Sequence, residues 1–297
     1  MTDLSTLVAA ELALPVDPRV TAMAAAVAAL YPGAARAVLF YGSCLRERNL
    51  DGLMLDFYLI VSSYREAYGR GWYAFANKLI PPNVFPFEHD GLAAKYAVLS
   101  EDHFRRECSA AARSVSVYAR FAQPSRLVWV ADEAARGMAV SAVANAAPTL
   151  LELTRSTMTS EEAADPLAIW RKGFTFTYGA ELRAERNSRP GAIVDADPER
   201  YRRVAQAAGF PSDRPSSIVA RRGADRGWRR TQKRGKWLSV IRLMKATTTF
   251  ASGVDYIAWK INRHAGTEIV VKPWQRRWPI IGALTLLPRL LRRGAIR

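Results

Sequence analysis

Apolar positions in the first thirty residues recur at helical spacing: Leu7, Val8 and Leu12, then Met23, Val27 and Leu30, set among alanines. That pattern predicts one or two helices, ended by Tyr31, Pro32 and Gly33. The rhythm then changes. AVLFYGS, 37 to 43, is rich in strand formers, and MLDFYLIVSS, 54 to 63, is a second, longer run with apolar residues on both sides of Asp56. The second run reads as a strand buried on both faces. Beyond Pro81 and Pro82, AAKYAVLS at 93 to 100 predicts a third strand, and Ser100 followed by Glu101, Asp102 and His103 predicts a helix start, with the helix running over 101 to 122. Residues 134 to 186 read as mostly helical, interrupted near Pro148 and at Asp165 and Pro166. Turn signals surround one Ile-Val pair in 187 to 201. GFPSDRPSS, 209 to 217, with RRGADRGWRRTQKRGK behind it, reads as a linker or mobile loop. No internal repeat is present.

Composition narrows the class. The chain has 297 residues, 49% hydrophobic and 24% charged, which describes a folded protein large enough for two domains. The two cysteines, Cys44 and Cys108, stand at no metal-ligand spacing, so both are expected to be packing residues in a reducing compartment. Asp3 and Glu11 near the start argue against a secretory or transit peptide, and no apolar run approaches the roughly 20 residues of a spanning helix. The expected location is cytoplasmic. Charge is split unevenly: residues 1 to 213 hold 23 Lys and Arg against 24 Asp and Glu, whereas residues 214 to 297 hold 20 against 3. A segment of that kind seeks phosphate, on anionic lipid or on nucleic acid.

Residues 40 to 61 carry the candidate chemistry. A strand ending in Gly-Ser, a loop of about a dozen residues and a strand bearing an inward Asp resemble the opening of a nucleotidyltransferase site. Gly42 would let the backbone approach a triphosphate, Ser43 would donate a hydrogen bond to it, and Arg46 and Arg48 would add cationic contacts. Asp56 could hold Mg²⁺, an ion that prefers few carboxylates together with phosphate oxygens. Tyr58 stands where the commonest pattern has a second acid.

YGS, then MLDFYLIV, then AKYAVLS resembles the mitochondrial-type phosphatidate cytidylyltransferases, the CDP-diacylglycerol synthases of the translocator assembly and maintenance family. ARFAQPSRLV at 119 to 128, TYGAELRAE at 177 to 185 and WLSVIRLMKATTTFASG at 237 to 253 are similar to further segments of that family, in the same order. The resemblance implies an α+β fold with a nucleotidyltransferase-like mixed sheet over 1–130 and a helical, winged-helix-like domain over 131–213. A basic loop and helix over 214–269 would complete the site, ahead of an amphipathic membrane-surface segment at 270–297. It implies Mg²⁺-dependent conversion of CTP and phosphatidate, or a related phospholipid, into CDP-diacylglycerol and pyrophosphate. By position, Gly42 and Ser43 would bind triphosphate, Asp56 metal and Lys95 a phosphate, with Glu181 and Arg183 in the nucleotide site. The chain departs from the family pattern at Ser62, Ser63 and Ala97. Glu88, Asp90 and Asp102 are the candidates for further metal ligands.

The C-terminal stretch carries its own physical reading. On a helix, Ile280, Leu284, Leu287 and Leu291 form one stripe, with Arg289, Arg292 and Arg293 opposite. Trp274 and Trp278 suit the headgroup boundary and the arginines suit anionic lipid, so the segment is expected to lie peripherally on the inner face of the cell membrane. Pro279 and Pro288 divide it into short pieces. Nucleic acid is the weaker candidate partner. Two other functions remain open: nucleotidyl transfer to RNA or to a small phosphorylated acceptor, and a catalytically degenerate protein that binds lipid or a partner.

Overall fold

The computed structural model describes residues 3–46, 49–69, 71–181, 190–211 and 218–249. Helices α1 (Leu4–Leu12) and α2 (Pro18–Ala29) begin at Asp3 and Asp17, whose carboxylates accept the N–H of Ser5 and of Arg19. Strands β1 (Ala35–Tyr41) and β2 (Met54–Val61) follow, then helices α3 (Tyr64–Tyr68) and α4 (Trp72–Leu79). Strands β3 (Asn83–His89) and β4 (Leu92–Ser100) form a hairpin, and helices α5 (Glu101–Glu107) and α6 (Tyr118–Phe121) lead to β5 (Ser125–Val130). The rest is helical: α7 (Glu133–Ala144), α8 (Ala146–Arg155), α9 (Pro166–Gly179), α10 (Pro190–Asp195), α11 (Pro198–Ala207) and α12 (Ile218–Thr249).

The five strands make one mixed sheet in the order β3-β4-β2-β1-β5, with β2 and β4 parallel and the other neighbours antiparallel. The protein is therefore α+β, as expected. Alternation along the strands divides two cores. Val38, Phe40, Leu55, Phe57, Leu59 and Val98 pack against α2 through Val20, Met23 and Val27. Leu39, Tyr58, Ile60 and Leu99 face the other way, into a core that runs without a break through Phe104 and Phe121 to Trp170, Phe174 and Tyr201 of the helical layer. Both cysteines are buried and neither is in a disulfide.

Several expectations need correction. The helix expected over 101–122 stops at Glu107, because its buried carboxylate accepts the backbone N–H of Arg113 at 3.2 Å and of Ser114 at 3.1 Å and folds the chain back on itself. The Ile-Val pair of 187–201, between its flanking turn signals, lies in α10, with Val194 fully buried. The stretch read as a linker is mostly α12, a helix of 32 residues. One side of it is anchored from Trp228 to Lys245. Trp228 stacks on Phe176 at 4.8 Å and donates to Leu153 O at 3.0 Å, and Gln232 donates to Phe176 O. Gly235 passes so close to the α9 end that a Cβ there would lie 2.3 Å from Ala180 O. Farther on, Arg242 donates to Pro81 O at 2.9 Å, to Ser116 Oγ at 2.7 Å and to Ser114 Oγ at 3.2 Å, while Lys245 donates to Ile80 O.

Candidate nucleotide site at the end of β1 and β2

β1 ends at Tyr41, opposite Asp56 of β2, and Asp56 is opposite Lys95 of β4. Paired residues of neighbouring strands project to the same face, so Tyr41, Asp56 and Lys95 form a row across three strands at one end of the sheet. Lys95 Nζ lies 2.9 Å from Asp56 Oδ1, with the two side chains 25% and 22% exposed. The carboxylate is thus neither alone nor fully buried, contrary to the expectation of an isolated acid in an apolar strand.

Gly42 follows at φ +97°, a conformation that L side chains rarely adopt. A Cβ on it would come within 3.3 Å of Asp56 Oδ2, so the residue leaves both a backbone bend and open space beside the carboxylate. Exposed Ser43 opens a short 3₁₀ turn, Ser43–Arg46, and the next residue, Cys44, is buried and donates to Met54 O. The turn thereby ties the end of β1 to the start of β2. Arg48 and Arg183 lie outside the described residues, as does the side chain of Arg46.

Two positions inward on the same face, Tyr58 and Ala97 are register partners. The small Ala97 leaves room for the buried Tyr58 ring, which packs at 5.3 Å from both Tyr41 and Phe121. Aromatic rings thus close the inner wall where a second acid was sought. Removal from water, and then the nearby Asp56 charge, push the Tyr41 phenol well above its ordinary range, so it stays a neutral donor.

Glu181 belongs to a neighbouring ion pair. Arg120 Nη1 donates to Glu181 Oε1 at 3.0 Å and also to Ser116 O. Burial opposes the charge on Arg120, but the Glu181 carboxylate together with the Tyr58 and Tyr41 phenols raises the guanidinium well above its usual value. Arg242 donates to the hydroxyl of the same Ser116, so α12 is joined to this pair through one residue.

The other candidate ligands are placed apart. Asp102 is exposed and paired with Arg105, and it follows Ser100, the partner of Val61 at the far end of β2. Ser62 and Ser63 sit at that same far end, about 20 Å along the strand from Asp56. Ser62 donates to Glu66 and Ser63 caps α3, so both serve the local turn. Asp90 is exposed at the hairpin tip beside His89. Glu88 is exposed on the site's own face but pairs with Ala93, one step outward and two strands away from Asp56. Among the described residues, no three His, Cys, Asp or Glu side chains are grouped to hold a metal. The donor set at Asp56, one oxygen against Lys95 and the other beside Gly42, fits an ion that takes most of its ligands from triphosphate and water, and does not fit one held by protein alone.

Sequence reasoning singled out Gly42, Asp56 and Lys95 but missed Tyr41, Arg120 and Arg242. The residues of the 270–297 membrane stripe lie outside the described ones. No helix among the described residues is long and apolar enough to cross a membrane. Searched against protein-family models and against curated proteins, the chain matches none.

Proposed function

We propose that the protein is a peripheral-membrane nucleotidyltransferase that converts CTP and phosphatidate, or a related phospholipid, into CDP-diacylglycerol and pyrophosphate. The carrying observation is the row of Asp56 and Lys95 beside the positive-φ Gly42 at the strand end. The resemblance of its motifs to those of the phosphatidate cytidylyltransferases supports it, with the helices of 131–213 in place of that family's winged-helix-like domain.

An oxygen of the lipid phosphate attacks the α-phosphorus of CTP, the bond from that phosphorus to the α–β bridging oxygen breaks, and pyrophosphate leaves with the electron pair. The attacking phosphate is already an anion at neutral pH, so no general base is needed. Charge neutralisation and alignment are what the site must supply. Gly42 admits the phosphates close to the backbone, and Ser43 donates a hydroxyl to them. Lys95 carries its ammonium beside Asp56 and would also take a phosphate oxygen. Mg²⁺, when bound, would be held by Asp56 and would offset charge on the triphosphate. Tyr41 offers a neutral hydroxyl beside the same carboxylate.

A second reading, a non-catalytic protein that binds lipid or nucleotide, draws on Tyr58 standing in place of a second acid. Chromatography of the lipid products separates the two. Phosphatidate vesicles incubated with CTP and Mg²⁺ should yield a cytidine-bearing lipid. Recovery of phosphatidate unchanged, with CTP bound, would favour the second reading.

A further inference from the structure

The side of α12 turned away from its anchors has a pattern of its own. Arg222, Arg226, Arg230, Lys233, Trp237 and Ile241 succeed one another at spacings of 4, 4, 3, 4 and 4, which is one helix face. All six are exposed, Trp237 by 70% and Ile241 by 37%. The face is cationic in its first half and apolar in its second. One turn beyond Ile241, Lys245 reaches the carbonyl of Ile80, the residue that ends α4. On α4, Trp72, Phe75 and Leu79 make a second apolar stripe, exposed by 62%, 60% and 66%, with exposed Lys78 at its edge. Lys245 thus brings the last turns of α12 up to the end of α4, where Leu79 closes the second stripe.

We propose that this face of α12, continued by the α4 stripe, is a docking surface for an anionic lipid bilayer. Its order matches the layers of a bilayer surface: arginines and a lysine for lipid phosphates, tryptophans for the headgroup boundary, and Leu79 and Ile241 for the acyl edge. A second copy of the chain fits poorly, because a two-fold contact sets the four cations either against the partner's four or against its Trp237 and Ile241, and neither arrangement brings a carboxylate to meet them. Nucleic acid would use the cations and leave the aliphatic groups without a partner. The contact is additional to any made by residues 270–297, and it would hold the sheet end of α12 at the membrane plane. The proposal rests on the reading of this protein as an enzyme acting on a bilayer-bound substrate.

The test is flotation of the full chain with vesicles of phosphatidylcholine alone and of phosphatidylcholine with about one-third phosphatidylglycerol. Wild type should float with the anionic vesicles. The variant Trp72→Ser/Phe75→Ser/Leu79→Ser should float at least about tenfold less, with an unchanged thermal midpoint because the side chains are exposed. Arg226→Glu/Arg230→Glu should lose the preference for anionic vesicles. Equal flotation of wild type and both variants would overturn the proposal, and so would a dimer that the triple-serine substitution dissociates. CTP binding without vesicles is measured in parallel. If it is intact while flotation is unaffected by the variants, the surface is wrong and the nucleotide reading stands. If flotation behaves as expected and no CTP binds, the surface stands and the enzyme reading fails.

Discussion

Asp56 Oδ1 and Lys95 Nζ meet at 2.9 Å across the parallel β2–β4 ladder, beside the bend that Gly42 makes at the end of β1. The pair is partly exposed, so its value to stability is modest, about 1 kcal/mol or less. Under the proposed function its value is larger, since it sets an anion and a cation side by side next to the bend at Gly42.

Gly42→Ala should therefore do two things. The φ of +97° strains any L side chain, costing about 1–2 kcal/mol in urea denaturation. The added methyl also presses on Asp56 Oδ2, so CTP affinity measured by calorimetry should fall further than Ser43→Ala makes it fall. Unchanged affinity would show that the bend is only a turn.

Arg120 and Glu181 make a largely buried pair, 29% and 13% exposed. Glu181→Ala strands the guanidinium and should cost about 2–3 kcal/mol, whereas Arg120→Met/Glu181→Met should cost less than the sum of the two single changes. A double-mutant cycle in urea reads the difference. Additive losses would mean that the two side chains are independent.

Burial, and then the neighbouring Arg242 charge, pull Lys245 down to about 7. Between that value and the ordinary lysine range, the unfolded chain binds the proton that the folded chain has released, so stability rises with pH. The advantage is complete above the unfolded value and is lost as pH falls toward 7. Wild type should gain up to about 2 kcal/mol on Lys245→Met between pH 7 and 9, in parallel thermal melts. A constant difference would place Lys245 in water.

The sheet was legible where its apolar runs are long. β2 and β4 announce themselves, and Asp56, Lys95 and Gly42 came with them. β3 was hidden by Pro86, which an edge strand tolerates, although Asp90 and Gly91, both at positive φ, are a hairpin turn that could have revealed it. α12 was hidden by Gly223, Gly227 and Gly235, which suggest a linker. The residues on its anchored side, Ala224, Trp228, Gln232, Gly235 and Arg242, nevertheless recur at helical spacing. Nothing in the sequence pairs Arg120 with Glu181 or seats Arg242 on Ser116, because contacts between residues so far apart in the chain depend on the finished fold.

Pyrophosphate release from CTP and Mg²⁺ on phosphatidate vesicles, with wild type beside Asp56→Asn, tests the assignment most directly. Release by wild type that falls at least about a hundredfold in the variant, with the thermal midpoint held, is the expected result. Equal release by both proteins, or none by a wild type that binds the vesicles, would contradict the assignment of nucleotidyl transfer to the Asp56 and Lys95 row.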